Sequence, residues 1–213
     1  MSYAVKEIYY TLQGEGAQAG RAAVFLRFSG CNLWSGREED RTSATCRFCD
    51  TDFTGVDGPG GGRFPTAEDL AAAVANAWGA PRPDRGRPLV VCTGGEPLLQ
   101  LDPALVEALH REGFDVAVET NGTCEAPEGI DWITVSPKAG TRLRLTAGHE
   151  LKLVYPQDGA GPDSYEDLSF SSFFLQPMDG PAREANVAAA AAYCLAHPRW
   201  RLSLQTHKLI GLR

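Results

Sequence analysis

Three of the six cysteines, Cys31, Cys46 and Cys49, are spaced C-x14-C-x2-C. Thiolates two residues apart reach one metal centre from a single turn, and the third would enter from the end of the preceding strand. Four chemistries use such a set. Zinc needs four closing ligands, and the second C-x2-C of a zinc ribbon is missing, although Cys92 or a histidine could complete the site. A redox pair at Cys46-Arg47-Phe48-Cys49 leaves Cys31 without a task and lacks the usual βαβ setting. Three independent core cysteines are a further possibility, since free Cys is often buried. A [4Fe–4S] cluster on three thiolates leaves one iron open to a small molecule. Cys92, Cys124 and Cys194 lie outside this spacing, and Cys194 reads as a core residue of an Ala-rich helix. His110, His149 and His197 lack ligand spacing and read as surface or packing residues.

Other residues could bind small anionic or polar molecules. Arg27 sits in the run Ala-Val-Phe-Leu-Arg-Phe, where strand alternation puts it on the face of Phe25, opposite Val24, Leu26 and Phe28. A guanidinium there would hold a carboxylate bidentately, whereas its plain alternative is an arginine reaching solvent at a strand end. Gln13-Gly14-Glu15-Gly16 reads as a tight turn before the first strand, and Thr93-Gly94-Gly95-Glu96-Pro97 as a turn after a later one. Glycines in both allow backbone to come close to a ligand. Pro81–Pro88, with three arginines, reads as an exposed connector.

Composition narrows the classes. The chain has 213 residues and a formal charge of −7, so a broad basic surface for nucleic acid is not expected. No apolar run approaches the roughly 20 residues of a membrane span. The first residues lack the basic and apolar regions of a signal peptide. These features point to a cytoplasmic, small-molecule protein of one domain, residues 1–213, large enough to fold without disulfides.

Short apolar runs bounded by Gly, Pro, Asp or Asn predict strands at Ala23–Phe28, Leu89–Thr93, Asp115–Glu119, Trp132–Ser136, Glu150–Tyr155, Phe173–Gln176 and Arg201–Thr206. Helices are predicted after Thr66, after Asp102-Pro103, and from Pro181 to His197, where Pro198 stops the last. Irregular backbone is expected between Cys31 and Cys46 and over Gly55–Arg63. Strand–helix–strand order requires right-handed crossovers and a mostly parallel sheet. A closed eight-unit barrel takes about 250 residues, so seven strands and three helices predict an α/β fold in the form of an incomplete (β/α) barrel.

Phe48 inside the C-x2-C and the Gly-Gly-Glu-Pro turn resemble the radical S-adenosylmethionine enzymes, whose usual motif is C-x3-C-x2-C. Here eleven extra residues separate the first two cysteines, an insertion of small entropic cost. A closer resemblance, over most of the chain, is to the 7-carboxy-7-deazaguanine synthase family. It is carried by Leu12-Gln13-Gly14-Glu15-Gly16, Arg27, Cys49-Asp50-Thr51, Thr93-Gly94-Gly95-Glu96-Pro97, Glu119-Thr120-Asn121-Gly122, Ser136-Pro137-Lys138, Gln176-Pro177-Met178 and His207-Lys208, in that order.

That resemblance implies a lyase of deazapurine (queuosine precursor) biosynthesis. It would turn 6-carboxy-5,6,7,8-tetrahydropterin into 7-carboxy-7-deazaguanine with loss of ammonia, using a 5′-deoxyadenosyl radical from S-adenosylmethionine. Cys31, Cys46 and Cys49 would hold the [4Fe–4S] cluster and Thr51 a Mg²⁺. Leu12, Gln13, Gly14, Arg27, Thr93 and the terminal carboxylate of Arg213 would contact substrate. Phe48, Cys49, Asp50 and Gly95 would contact S-adenosylmethionine, as would Ser136, Pro137 and Lys138 and the run Gln176, Pro177, Met178 and Asp179. The family also implies a homodimer and a reductant such as flavodoxin or ferredoxin. Activation of a glycyl-radical partner, or a zinc-stabilised binding module without catalysis, are the rival readings.

Overall fold

The structure is a computed structural model that describes residues 2–81 and 86–212. Among these residues nine strands form one sheet: β1 (Tyr3–Leu12), β2 (Ala22–Phe28), β3 (Gly62–Phe64), β4 (Leu89–Gly94), β5 (Asp115–Thr120), β6 (Trp132–Val135), β7 (Ala147–Tyr155), β8 (Ser169–Pro177) and β9 (Trp200–Leu202). Their order is β3-β1-β2-β4-β5-β6-β7-β8-β9. From β2 onward every neighbouring pair is parallel, while β1 runs antiparallel to both β2 and β3. The sheet therefore has two free edges, as an unclosed α/β barrel requires.

Among the described residues four α-helices complete the fold: α1 (Ala67–Ala77), α2 (Pro103–Arg111), α3 (Arg183–Ala196) and α4 (Thr206–Leu209). Thr66 and Asp102 begin the first two as side-chain caps, accepting from Asp69 N at 3.1 Å and Leu105 N at 2.9 Å. Such caps satisfy amides that a helix start leaves unpaired. Leu70 and Val74 of α1 and Leu105 and Leu109 of α2 bury against Val24, Leu26 and Phe28 and against Val116 and Val118. Ala190 of α3 joins a second core with Leu151, Leu153, Leu175 and Trp200. Both cores use the outer face of the sheet. The inner face has a small apolar floor of Ala23, Leu89, Val91 and Ala117. Above that floor, towards the strand C-termini, its residues turn polar.

Several expectations are corrected. The sequence reading misses β1 and β3. In β1, a register shift between Val5 and Glu7 breaks the period-two pattern, and Lys6-Glu7 interrupts the apolar run. Gln13–Gly16 therefore follows the first strand and links it to β2. The three-residue β3 is short enough to hide among glycines. The last strand ends at Leu202, and Thr206 already belongs to α4. The Ala-rich helix spans Arg183–Ala196, slightly inside the predicted bounds. A 3-10 turn, Glu38–Ser43, lies within the segment expected to be irregular. Of the connector Pro81–Pro88, residues 82–85 lie outside the described residues.

Candidate functional site

A cavity of about 580 Å³ opens at the C-terminal ends of the parallel strands, the position where α/β folds place their chemistry. Its size falls in the range of roughly 300–1,000 Å³ typical of small-molecule sites. Cys31, Cys46 and Cys49 all line it. The backbone explains how a 14-residue spacing serves this geometry. Leu33 O accepts from Thr45 N at 3.1 Å and from Cys46 N at 3.4 Å. These bonds close a neck, and residues 34–44 bulge from it as a loop of their own. Across the neck only Asn32, Leu33 and Thr45 separate Cys31 from Cys46. The thiols thus see the three-residue spacing of the shorter radical-enzyme motif.

The Cys46 and Cys49 side chains act on one another, and this interaction works in opposite directions on the two thiols. It raises the pKa of Cys46, helped by burial, and lowers that of Cys49 to about 6. A thiolate is the form that binds metal. Burial raises Cys31. Lys138 lies half-buried beside them and donates Nζ to Ser136 O at 2.6 Å and Ser136 Oγ at 2.7 Å. Burial pulls its pKa down, while Cys46 and Cys49 favour its charge. Among the described residues no three His, Cys, Asp or Glu side chains gather closely enough for a single metal ion. A four-iron cube binds each thiolate to a different iron and does not need such closeness, so this donor set fits it.

The Gly94-Gly95 turn packs directly on the cysteine segment. A Cβ on Gly95 would collide with Gly30 O and stand 2.7 Å from Cys31 Cβ. Glu96 N donates to Gly30 O at 3.0 Å. The Glu96 carboxylate is fully buried and ties β4 to β5, accepting from Thr120 Oγ1 at 2.6 Å and Asn121 N at 2.8 Å. Glu96 therefore fixes the turn instead of facing a ligand.

Arg27 points into the cavity from β2, on the face that alternation gives it. Its Nε donates to Glu7 Oε1 at 2.8 Å and its Nη2 to Tyr9 Oη at 3.0 Å. Burial disfavours the charge, but Tyr9 and Glu7 outweigh it and raise the pKa. The solvent-exposed alternative is thereby excluded.

Below Arg27 the sequence reading missed a buried ionic group. Lys152, 4% exposed, donates Nζ to Glu15 Oε2 at 2.6 Å and to Glu119 Oε2 at 2.7 Å. Gln13 Nε2 donates to Glu119 Oε1 at 3.1 Å, and Gln205 Nε2 to Glu15 Oε1 at 3.0 Å. Glu150, also buried, accepts from Ala17 N at 2.9 Å. The Lys152 ammonium thus bonds two carboxylates and acts on the third, Glu150, only through its charge. Burial acts to raise Glu15, but Lys152 outweighs it and holds that carboxyl at about 2. Burial and the neighbouring carboxylates push Glu119 up to about 7 despite Lys152. Burial opposes the Lys152 charge, yet Glu119 and Glu15 raise its pKa. The available signal was a lysine between leucines in Glu150-Leu-Lys-Leu, on the same parity as Glu150.

Most other expected site residues line the same cavity: Leu12, Gln13 and Thr93, and then Phe48, Asp50, Thr51 and Gly95. Ser136, Lys138 and Gln176–Asp179 line its other wall. Gln176 Oε1 is buried with no partner among the described residues, an acceptor suited to an amino group such as that of adenine. Gly14 and Pro137 stand beside the lining. Gly14 O accepts from both Thr206 N and Thr206 Oγ1 at 2.9 Å, which docks α4 on the turn. Arg213 lies outside the described residues. The lone histidines pack as expected: His110 pairs with Asp131 at 2.8 Å, His149 stacks on Trp132 and His197 on Tyr193.

Residues 41–154 match the sequence profile of the Radical SAM superfamily. The chain is 65% identical to 7-carboxy-7-deazaguanine synthase of Caulobacter vibrioides and 63% identical to that of Bradyrhizobium diazoefficiens, in both cases over the full length of both chains. Its fold is similar to the crystal structure of QueE from Escherichia coli, with a TM-score of 0.67 and 26% identity. That likeness covers 96% of this chain and 94% of the other.

Proposed function

The chain belongs to the 7-carboxy-7-deazaguanine synthase family of the Radical SAM superfamily, and on that premise we propose how its cavity carries the reaction. It is a carbon–nitrogen lyase of queuosine precursor biosynthesis. Its substrate is 6-carboxy-5,6,7,8-tetrahydropterin, its product 7-carboxy-7-deazaguanine, and ammonia is lost. When bound, the [4Fe–4S] cluster and S-adenosylmethionine supply the hydrogen-abstracting radical. The single observation that carries this reading is that three cysteines and a clamped arginine open on one cavity.

Cys31, Cys46 and Cys49 hold the cluster. Gly95, whose backbone lies against Cys31, receives the methionine end of S-adenosylmethionine, with Ser136, Pro137 and Lys138 beside it. Phe48, Cys49 and Asp50 line one side of the adenosine, and Gln176, Pro177, Met178 and Asp179 the other. Arg27, aimed by Glu7 and Tyr9, takes the pterin carboxylate, and Leu12, Gln13, Gly14 and Thr93 contact the ring. Glu119, which Lys152 and Gln13 hold in the cavity wall, is pushed up to about 7 by burial and its neighbouring carboxylates. Groups fixed on the cavity walls keep the reacting atoms in place and stray hydrogen donors away from the radical.

Thr51 offers a hydroxyl to Mg²⁺, which keeps most of its waters and needs few protein ligands. A flavodoxin or ferredoxin delivers the electron, and two copies form a dimer. The whole chain acts as one cytoplasmic catalytic domain. Anaerobic reconstitution with iron and sulfide, followed by reduction and assay of 5′-deoxyadenosine with and without the carboxytetrahydropterin, tests the reading. Pterin conversion is expected. A colourless protein without cleavage would mean a zinc module, and cleavage with unchanged pterin would mean an activase.

A further inference from the structure

The loop between the neck residues Leu33 and Thr45 has its own internal packing. Trp34 is 8% exposed, meets Phe53 edge-on at 5.6 Å and donates Nε1 to Arg37 O at 3.1 Å. Gly36, at φ +83°, lies so close to Thr54 and Phe53 that a Cβ would strike the Thr54 methyl. Ser35 Oγ donates to Asp40 Oδ2 at 2.6 Å. These contacts shape the loop and press it on Phe53-Thr54.

Arg41 does something different, because it reaches out of the loop. Its guanidinium lies 4.1 Å above the Trp34 ring, and its Nε is held by the Glu38 carboxylate at 2.7 and 2.9 Å. With that plane fixed, Nη1 donates to Arg47 O at 2.9 Å and to Cys49 O at 3.1 Å. Residues 46–54 form no helix or strand, so those carbonyls lack a regular ladder to hold them. A planar fork that stacks and donates at once suits the task, whereas a lysine ammonium offers neither the stacking plane nor the fixed fork.

We propose that Arg41 is a positioning residue that fixes the Cys46–Cys49 segment, so that both thiols face the cavity before the cluster is assembled. The extra loop then serves as a brace that orders the C-x2-C turn. What those thiols receive rests on the cluster reading above; the grip itself does not.

Hydrogen–deuterium exchange on the metal-free full chain, with chelator-driven iron release from the reconstituted chain, tests this. Arg41→Met should speed exchange over residues 46–51 and iron release by about tenfold to a hundredfold, the effect expected for losing charge-assisted hydrogen bonds. Arg41→Lys should behave like Arg41→Met. Glu39→Gln, an exposed change in the same loop, should match the unaltered protein. Exchange in β4 and β5 should stay the same in all three variants. Unchanged exchange and iron release in Arg41→Met would overturn the proposal. Full rescue by Lys would also overturn it, reducing the role to charge alone, as would faster exchange spread evenly across the sheet. If the unaltered chain binds no iron–sulfur cluster, the cluster reading fails, while the exchange result still judges Arg41.

Discussion

Replacing Lys152 by Met removes the one ammonium that Glu15 and Glu119 both contact. Breaking a buried ion pair from one side costs about 3–5 kcal/mol, because the remaining charge is left without compensation. The carboxylates escape that cost by binding protons. Glu119 already sits near 7 and protonates easily, but Glu15, held at about 2 by Lys152, must climb past its ordinary value. Depressed in the intact protein, Glu15 contributes stability that is present above its unfolded pKa and lost as pH falls towards 2. In the variant the sign reverses. Folded Glu15 then binds a proton that the unfolded chain has released, as Glu119 already does in the intact protein, so the variant loses stability relative to the intact protein as pH rises from 5 to 7.5, by up to about 1.4 kcal/mol per pH unit. The deficit of Lys152→Met should be about 3–5 kcal/mol at pH 7.5 and shrink to roughly 1–2 kcal/mol at pH 5. At about 2–4 °C per kcal/mol for a chain this long, Tm drops by about 6–20 °C at the higher pH. Denaturant melts of the metal-free protein at both pH values measure this. A deficit that is the same at both pH values, or under about 1 kcal/mol at pH 7.5, would refute the buried-charge argument.

Three further outcomes follow from the site. Gly95→Ala drives a methyl into Gly30 O and Cys31; iron retention should fall and S-adenosylmethionine affinity drop by about tenfold or more, as overpacking predicts, both read by iron content and equilibrium binding. Arg27→Lys keeps the charge but loses the bidentate plane, so KM for the pterin should rise about tenfold to a hundredfold while S-adenosylmethionine binding stays unchanged. Thr51→Ala should remove any stimulation of turnover by Mg²⁺, measured by titrating the metal after EDTA treatment.

How much of this was legible beforehand depends on whether a signal was local. The parity of Arg27 in β2 could be read because alternation needs only four neighbouring residues. The caps Thr66 and Asp102-Pro103 were legible for the same reason. The Lys152 group was not, because Lys152 and Glu15 lie 137 residues apart and meet only once β7 joins the sheet. Within its own run, Lys152 looks like any strand lysine. The cysteine spacing pointed to a metal centre but departed from the shorter motif. Its resolution rests on Leu33 O bonding both Thr45 and Cys46, a backbone contact that no side-chain pattern announces. Strand β1 was hidden by the bulge that brings Glu7 opposite Arg27, so the irregularity that defeated the pattern is part of what aims the arginine.

The central claim is that the three-thiol cavity performs a ring contraction with loss of ammonia. Counting 7-carboxy-7-deazaguanine and ammonia formed by the reduced, reconstituted chain and by Cys46→Ala tests it most directly. Equal amounts of both products from the unaltered chain, and neither from Cys46→Ala, are predicted. Full turnover by Cys46→Ala, or S-adenosylmethionine cleavage that leaves the pterin intact in the unaltered chain, would contradict it.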